Sequence, residues 1–379
     1  MLNLNSINYL HNAILKNLVS SSVAFFKRKL KYDFFKIDTF LWNINMLIKV
    51  AIINDTRTED GHFGCSTVMS NLEILLKKHG IEILWTWPVG IDWREHKDKL
   101  LSLGKVDALI VNGEGTIHHS SERRKMPDAL SEIAGFAKKE MGIPAYLINS
   151  TLYMNTDHLY RELLNYDQIY VRDTLSQKEC LAHGLEVKYA PDLSMVLPVN
   201  ERGVLRRRGV GVTDSVFKDK TIQLNKIAAR YDWDFVPMIK KEKPKSFLNK
   251  FGTILNINKL NLSYLSNKEF IKWLCSKELV ITGRYHTVTL CILTRTPFVA
   301  IESNTPKITA LLKDVFDDNS RVIYDVPLVY PDGEIVKRFA NFENNEIMMI
   351  EEYCHKVEKL NIDMVKSIVK DIKSKSAII

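Results

Sequence analysis

The sequence predicts an α/β protein of two doubly wound, Rossmann-like domains facing a cleft, preceded by an N-terminal helical extension. Three observations lead there. From Ile48 onward, short apolar runs alternate with longer stretches of helical spacing, the pattern of parallel βαβ units covered on both faces. That rhythm breaks at the polar, basic run PVNERGVLRRRG (198–209) and then resumes. The length, 379 residues, exceeds what one ordinary core organises, so two domains are expected.

Residues 1–47 form the extension. LVSSSVAFF (18–26) is apolar but falls short of the roughly 20 residues that a bilayer crossing needs. Lys27, Arg28, Lys29 and Lys31 come after it, the reverse of a signal peptide's order. Two readings stand: a basic amphipathic segment lying on a membrane surface, or a helical extension packed on the domain. The first domain, 48–200, opens with strand IKVAIIN (48–54), a glycine loop and a helix over 66–79. Strands IEILWTW (81–87) and VDALIVN (106–112) follow, then a helix near 128–140. IPAYLIN (143–149), DQIYVRD (167–173) and LEVKYAP (185–191) continue the strands, with helices between. In the second domain, 201–330, strands are read at 209–214, 233–238, 279–283, 297–303 and 321–325. Residues 268–276, the stretch after Gly283, and 306–313 read as helices, and 240–252 as a basic loop. The tail, 331–379, is helical over 345–373.

Hydrophobic content of 46% and charged content of 26% are those of a soluble globular protein. The net charge of +8 is not gathered into one run with interleaved aromatics, which argues against a nucleic-acid partner and leaves anionic substrates or anionic lipid. Five cysteines stand far apart, so neither a disulfide framework nor a metal site is expected, and a reducing, cytoplasmic compartment is. Cys65, in the glycine loop, reads as a small packing residue ahead of a nucleophile.

Three polar clusters follow strands, where a doubly wound fold places its ligands. In DTRTEDGHFGCST (55–67), Gly61 and Gly64 let backbone approach a ligand, and Ser66 or Thr67 suits a helix cap. In NGEGTIHHSSERR (112–124), Gly113 and Gly115 flank Glu114, a carboxylate whose pKa would rise in a closed cleft. His118 or His119 is a second candidate proton carrier, and in an extended segment only one of the two would face the ligand. The third cluster joins the turn after Gly283 to SNTPKI (303–308). Arg284 and His286 stand at a strand-to-helix turn, where unpaired N–H groups and the helix dipole attract anions. Lys307 follows Pro306 at another helix start, where a cation is unfavourable unless an anion compensates it; Asn304 lies beside it. The ligand implied is a small, multiply charged anion.

The turn NGEGT (112–116), the run DQIYVRDTLSQKECLAHG (167–184), the pair Pro191–Asp192, the turn TGRYH (282–286) and PFVAIESNTPKI (297–308) together resemble the polysaccharide pyruvyl transferase family. The resemblance spans about Ile48 to Asp325. It implies a glycosyltransferase-B-like architecture and transfer of a pyruvyl group, as a ketal, from phosphoenolpyruvate to a sugar of a bacterial surface polysaccharide or its lipid-linked precursor. Phosphoenolpyruvate is then a co-substrate, and no cofactor is implied. Arg284 and His286 match the family's donor-binding arginine and histidine. Glu114 stands where the family usually has the middle of three glycines, which assigns it to the acceptor side. A nucleotide-sugar-dependent glycosyltransferase of the same fold is the alternative, and a non-catalytic carbohydrate- or anion-binding module the third reading. The resemblance also implies a cytoplasmic enzyme, peripheral at the inner face of the membrane if residues 1–47 bind lipid.

Overall fold

The computed structural model describes residues 47–57, 61–122, 124–197, 206–239, 265–324, 326 and 334–376. The chain divides into two compact units, residues 1–48 and 49–379. The two readings of the extension fall outside the described residues, as do the 240–252 loop and most of the 198–209 run.

Two sheets build the second unit. The first has the order β2-β1-β3-β4-β5-β6, from Ile48–Asp55 (β1), Ile81–Pro88 (β2), Ala108–Glu114 (β3), Ala145–Ser150 (β4), Gln168–Val171 (β5) and Lys188–Tyr189 (β6). β1 pairs parallel with β3, β3 with β4, β4 with β5 and β5 with β6. Every residue of β3 is buried, as expected of a central strand with helices on both faces. The second sheet has the order β11-β10-β9-β7-β8, from Val210–Ser215 (β7), Asp234–Phe235 (β8), Leu279–Gly283 (β9), Phe298–Ile301 (β10) and Val322–Ile323 (β11). Its pairings β7–β8, β7–β9, β9–β10 and β10–β11 are parallel too. The apolar runs at 185–191, 233–238 and 321–325 pair over two residues each as β6, β8 and β11. All three are edge strands with one neighbour instead of two, so fewer ladder bonds hold them.

Helices connect the strands: Phe63–Lys78 (α1), Lys97–Ser102 (α2), Lys125–Phe136 (α3), Asp157–Leu163 (α4), Thr174–Ala182 (α5), Lys218–Arg230 (α6), Asn267–Cys275 (α7), Tyr285–Thr294 (α8), Lys307–Phe316 (α9), Glu334–Phe339 (α10) and Asn344–Ser376 (α11). α1 begins three residues before the predicted start. Its cap is His62, whose Nδ1 accepts from the Cys65 amide at 3.3 Å, and not Ser66 or Thr67.

The tail is not a separate appendage. Its 33-residue helix α11 returns to the first sheet. Tyr146 Oη donates to Asp371 at 2.7 Å, Ser367 Oγ to Gln168 at 2.8 Å, and Asn361 Nδ2 to the Pro191 carbonyl at 2.9 Å. The helices and turns that flank the two sheets also meet. Phe63 stacks on Phe270 at 4.3 Å between ring centres, the Phe63 amide donates to the Met238 carbonyl, and Ser194 Oγ lies 2.8 Å from Thr289 Oγ1. No described helix is long and apolar enough to cross a membrane.

Candidate active site

Each sheet has one place where strand order reverses: between β1 and β3 in the first, between β7 and β9 in the second. Crevices beyond the carboxyl ends of strands at such points are where doubly wound folds take ligands. One cavity of about 430 Å³ touches both. Thr56 after β1 and Glu114 at the end of β3 line it from the first lobe; Arg284 after β9, with His286 and Lys307, line it from the second.

Arg284 caps α8 and turns its guanidinium onto Asp214 at the end of β7, with Nε donating at 3.0 Å. The ion pair holds the fork at the cavity wall. Lys307 is the first residue of α9 and is buried, its Nζ donating to Asn304 Oδ1 at 3.1 Å. Burial, then the charge of Arg172, pushes its ammonium down to about 7. Arg172 follows β5 and is almost fully enclosed. It donates to Asp192 at 2.8 Å and to Thr151 Oγ1 at 2.8 Å, and its guanidinium lies 4.4 Å over the Tyr285 ring. Burial works against the Asp192 carboxylate, but Arg172, His286 and the Ser194 hydrogen bonds together outweigh it and hold the carboxylate below the usual range. A Cβ placed on Gly115 would stand 3.4 Å from both Arg172 Nη2 and Lys307 Nζ. Two cations thus face one small void that the missing side chain leaves open.

Glu114 sits opposite in character. It is buried with φ +40°, a left-handed conformation that non-glycine residues adopt at a cost. Thr56 Oγ1 donates to its Oε1, Asn112 Nδ2 donates to the same oxygen at 3.2 Å, and the Cys65 thiol donates to Oε2 at 3.3 Å. Burial raises its pKa despite the Thr56 bond. His286 is buried on α8, and burial lowers it to about 3, so the ring is neutral. Its Nε2 has no hydrogen-bond partner among the described residues and lies 3.8 Å from Asp192 Oδ2.

The predicted residues divide. Glu114, Gly115, Arg284, His286 and Lys307 line the cavity. Gly64 does not line the cavity: it makes room for His286, whose ring would lie 2.2 Å from a Cβ there. Gly113 leaves room in the same way for Ser150, and Gly61 is a positive-φ turn residue away from the cavity wall. Asn304 positions Lys307 without lining the cavity. His118 is withdrawn behind it. The segment is not extended, because His119 takes φ +49°, and the two rings meet with Nδ1 atoms 2.8 Å apart. Arg124 and Asn304 occupy His118 as well, and burial and the Arg124 charge lower it to about 3. A ring so enclosed is a poor base toward a substrate in the cavity.

Thr56, His62, Cys65, Arg172 and Tyr285 also line the cavity and were not predicted for it. Arg172 and Tyr285 were in view, within the 167–184 run and the 282–286 turn, but a polar residue after a strand reads equally as a turn. Cys65 is no mere packing residue, since its thiol reaches Glu114. His62, Cys65 and His286 place one potential ligand atom each within 4.8 Å of one another, a grouping that their separation along the sequence does not foretell.

Comparison with known proteins identifies a family and a fold. The model of a family described as polysaccharide pyruvyl transferase matches residues 7–305. An α,α-trehalose-phosphate synthase (UDP-forming) of Burkholderia vietnamiensis superposes with a TM-score of 0.52 at 11% identity, covering 88% of this chain and 98% of its own. A UDP-GlcNAc 2-epimerase of Neisseria meningitidis gives 0.49 at 12% identity, covering 85% and 100%. Among curated proteins nothing matches. The architecture is the glycosyltransferase-B arrangement of two Rossmann-like lobes.

Proposed function

We propose that this chain, which belongs to the polysaccharide pyruvyl transferase family, transfers a pyruvyl group from phosphoenolpyruvate to two hydroxyls of one sugar in a bacterial surface polysaccharide or its lipid-linked precursor. Membership makes it a transferase that modifies polysaccharide; donor and acceptor are the proposal. The observation that carries it is the cavity at the two strand-order reversals, where Arg172, Arg284 and Lys307 converge and the buried Glu114 carboxyl, its pKa raised by burial, lines the same space.

Phosphoenolpyruvate carries a phosphate and a carboxylate on one small frame. Its methylene carbon takes a proton, which leaves C2 electrophilic. One sugar hydroxyl adds to C2 and releases its proton. A second hydroxyl then forms its own C2–O bond as the C2–OP bond breaks, and phosphate leaves. One proton has entered the new methyl group and two have left the hydroxyls, so one restores the acid and one departs with phosphate. In this reading Arg284, fixed by Asp214, and Lys307, fixed by Asn304, hold the two anions, with Arg172 at the Gly115 void. His286 lines the cavity beside Arg284, on the side from which phosphate would leave. Glu114, hydrogen-bonded by Thr56, Asn112 and Cys65, carries the proton.

The test is ligand-induced thermal stabilisation. Phosphoenolpyruvate should raise the melting temperature by mass action, adding about 2.7 kcal/mol of stability at a hundredfold excess over its Kd. A shift with a nucleotide sugar and none with phosphoenolpyruvate would replace this reading by the glycosyltransferase one. No shift with either donor, and no turnover, would leave a binding module.

A further inference from the structure

We propose that His62, Cys65 and His286 form a binding site for one thiophilic divalent cation of the zinc class, clamped between the two lobes. His62 and Cys65 stand on the first turn of α1 in the first lobe, and His286 on α8 in the second. Their ligand atoms lie within 4.8 Å of one another and all three side chains line the cavity. In a tetrahedral zinc site the nitrogen and sulfur ligands sit about 3.5 Å apart, so closing this set takes shifts of roughly 1 Å, within the reach of side-chain rotation.

The second observation is the unpartnered His286 Nε2. His286 is 7% exposed, and this nitrogen has no hydrogen-bond partner among the described residues. A buried polar atom without a partner is costly unless something binds it. The set is also held in place before any ion arrives. His62 forms a bridge with Ile239, the Phe63 amide donates to the Met238 carbonyl, and Gly64 admits the His286 ring against α1. The His62 cap bond to the Cys65 amide is long at 3.3 Å, so resetting that ring's tautomer costs little.

Charge is balanced at this point. Arg172, Arg284 and Lys307 oppose another cation in the cavity, while Asp192, Asp214 and Glu114 favour it. Glu114 Oε2 lies 3.3 Å from the Cys65 sulfur and Asp192 Oδ2 lies 3.8 Å from His286 Nε2. On binding, Cys65 gives up its proton to solvent and the thiolate cancels one unit of the ion's charge. Two imidazoles and a thiolate select zinc over magnesium or calcium. Three protein ligands leave a fourth position open to the cavity, where water or an anionic oxygen completes the tetrahedron.

The experiment is an anaerobic titration of the full, chelator-treated chain with cobalt(II), followed by absorption spectroscopy. The expected result is one ion per chain with a near-ultraviolet thiolate-to-cobalt band that zinc displaces. Cys65→Ser should abolish the band, and His62→Gln or His286→Gln should weaken binding by roughly tenfold or more. Should Cys65→Ser fail to fold, His62→Gln, which keeps the thiol, decides alone. Absence of the band, its persistence in Cys65→Ser, or unchanged affinity in His62→Gln would overturn the site. No donor enters this measurement. A chain that takes cobalt but is not stabilised by phosphoenolpyruvate would sink the donor reading and leave the metal site standing.

Discussion

The two lobes finish their central strands alike and then diverge in charge. β3 closes on Gly113 and Glu114, and β9 ends on Gly283 followed by Arg284. Each glycine lets a serine of the neighbouring strand pass close by. A Cβ on Gly113 would stand 2.4 Å from Ser150 Oγ, and one on Gly283 would stand 2.5 Å from Ser215 Cβ. After that the partners differ. Glu114 is met by neutral donors, Thr56 and Asn112, and by a thiol; Arg284 is met by the Asp214 carboxylate. A carboxyl buried among neutral groups is poised to move a proton, and a guanidinium fixed by a carboxylate is poised to hold an anion. One architecture, used twice, thus supplies the two tasks of the proposed reaction from opposite walls.

The sharpest way to break this division is Glu114→Gln. Turnover, read as phosphate release in the presence of an acceptor, should fall about 10²- to 10⁴-fold while donor affinity stays the same. Tighter donor binding with unchanged turnover would place Glu114 outside the proton path. Next in size, Arg284→Ala should cost about 2–5 kcal/mol of phosphoenolpyruvate binding by calorimetry, part of it from leaving Asp214 unpaired. Equal losses of donor affinity in Glu114→Gln and Arg284→Ala would erase the distinction between the walls. The shared geometry is tested by Gly113→Ala and Gly283→Ala, each expected to lower unfolding free energy by about 1–3 kcal/mol through overpacking against its serine. A mild effect at one and a severe effect at the other would show that the strand ends are not equivalent.

The smallest effect concerns Lys307. Its folded pKa of about 7 lies below the ordinary lysine value of 10.5, chiefly through burial. The ammonium is therefore present below about pH 7 and lost above it. Donor affinity should drop by about tenfold between pH 6 and 8, and Lys307→Met should remove that dependence. A pH profile that Lys307→Met leaves untouched would exclude the lysine from the donor wall.

Much of the fold was legible because its signals are local. β1, β3, β4 and β9 are short apolar runs buried on both faces, and each was read within two or three residues of its observed span. The edge strands β6, β8 and β11 were read too long, since an apolar run says nothing about how many neighbours a strand will have. Glu114, Arg284 and Lys307 stood out as charges at strand ends or helix starts. Gly64 was read as a ligand contact when its task is to admit His286, a residue 222 positions away in sequence. His118 looked available because nothing nearby in sequence foretells that Asn304, 186 positions on, joins Arg124 in enclosing it.

By itself the sequence determined the alternation of strands and helices, the placement of charge at their junctions and the family to which the chain belongs. These follow from hydrophobic periodicity, turn chemistry and motif order, all of which act over a few residues. Only the tertiary structure decided that positions 62, 65, 114, 172, 284, 286 and 307 surround one cavity. Their meeting depends on where each sheet reverses its strand order and on how the two lobes pack, and both are set by burial between elements distant along the chain.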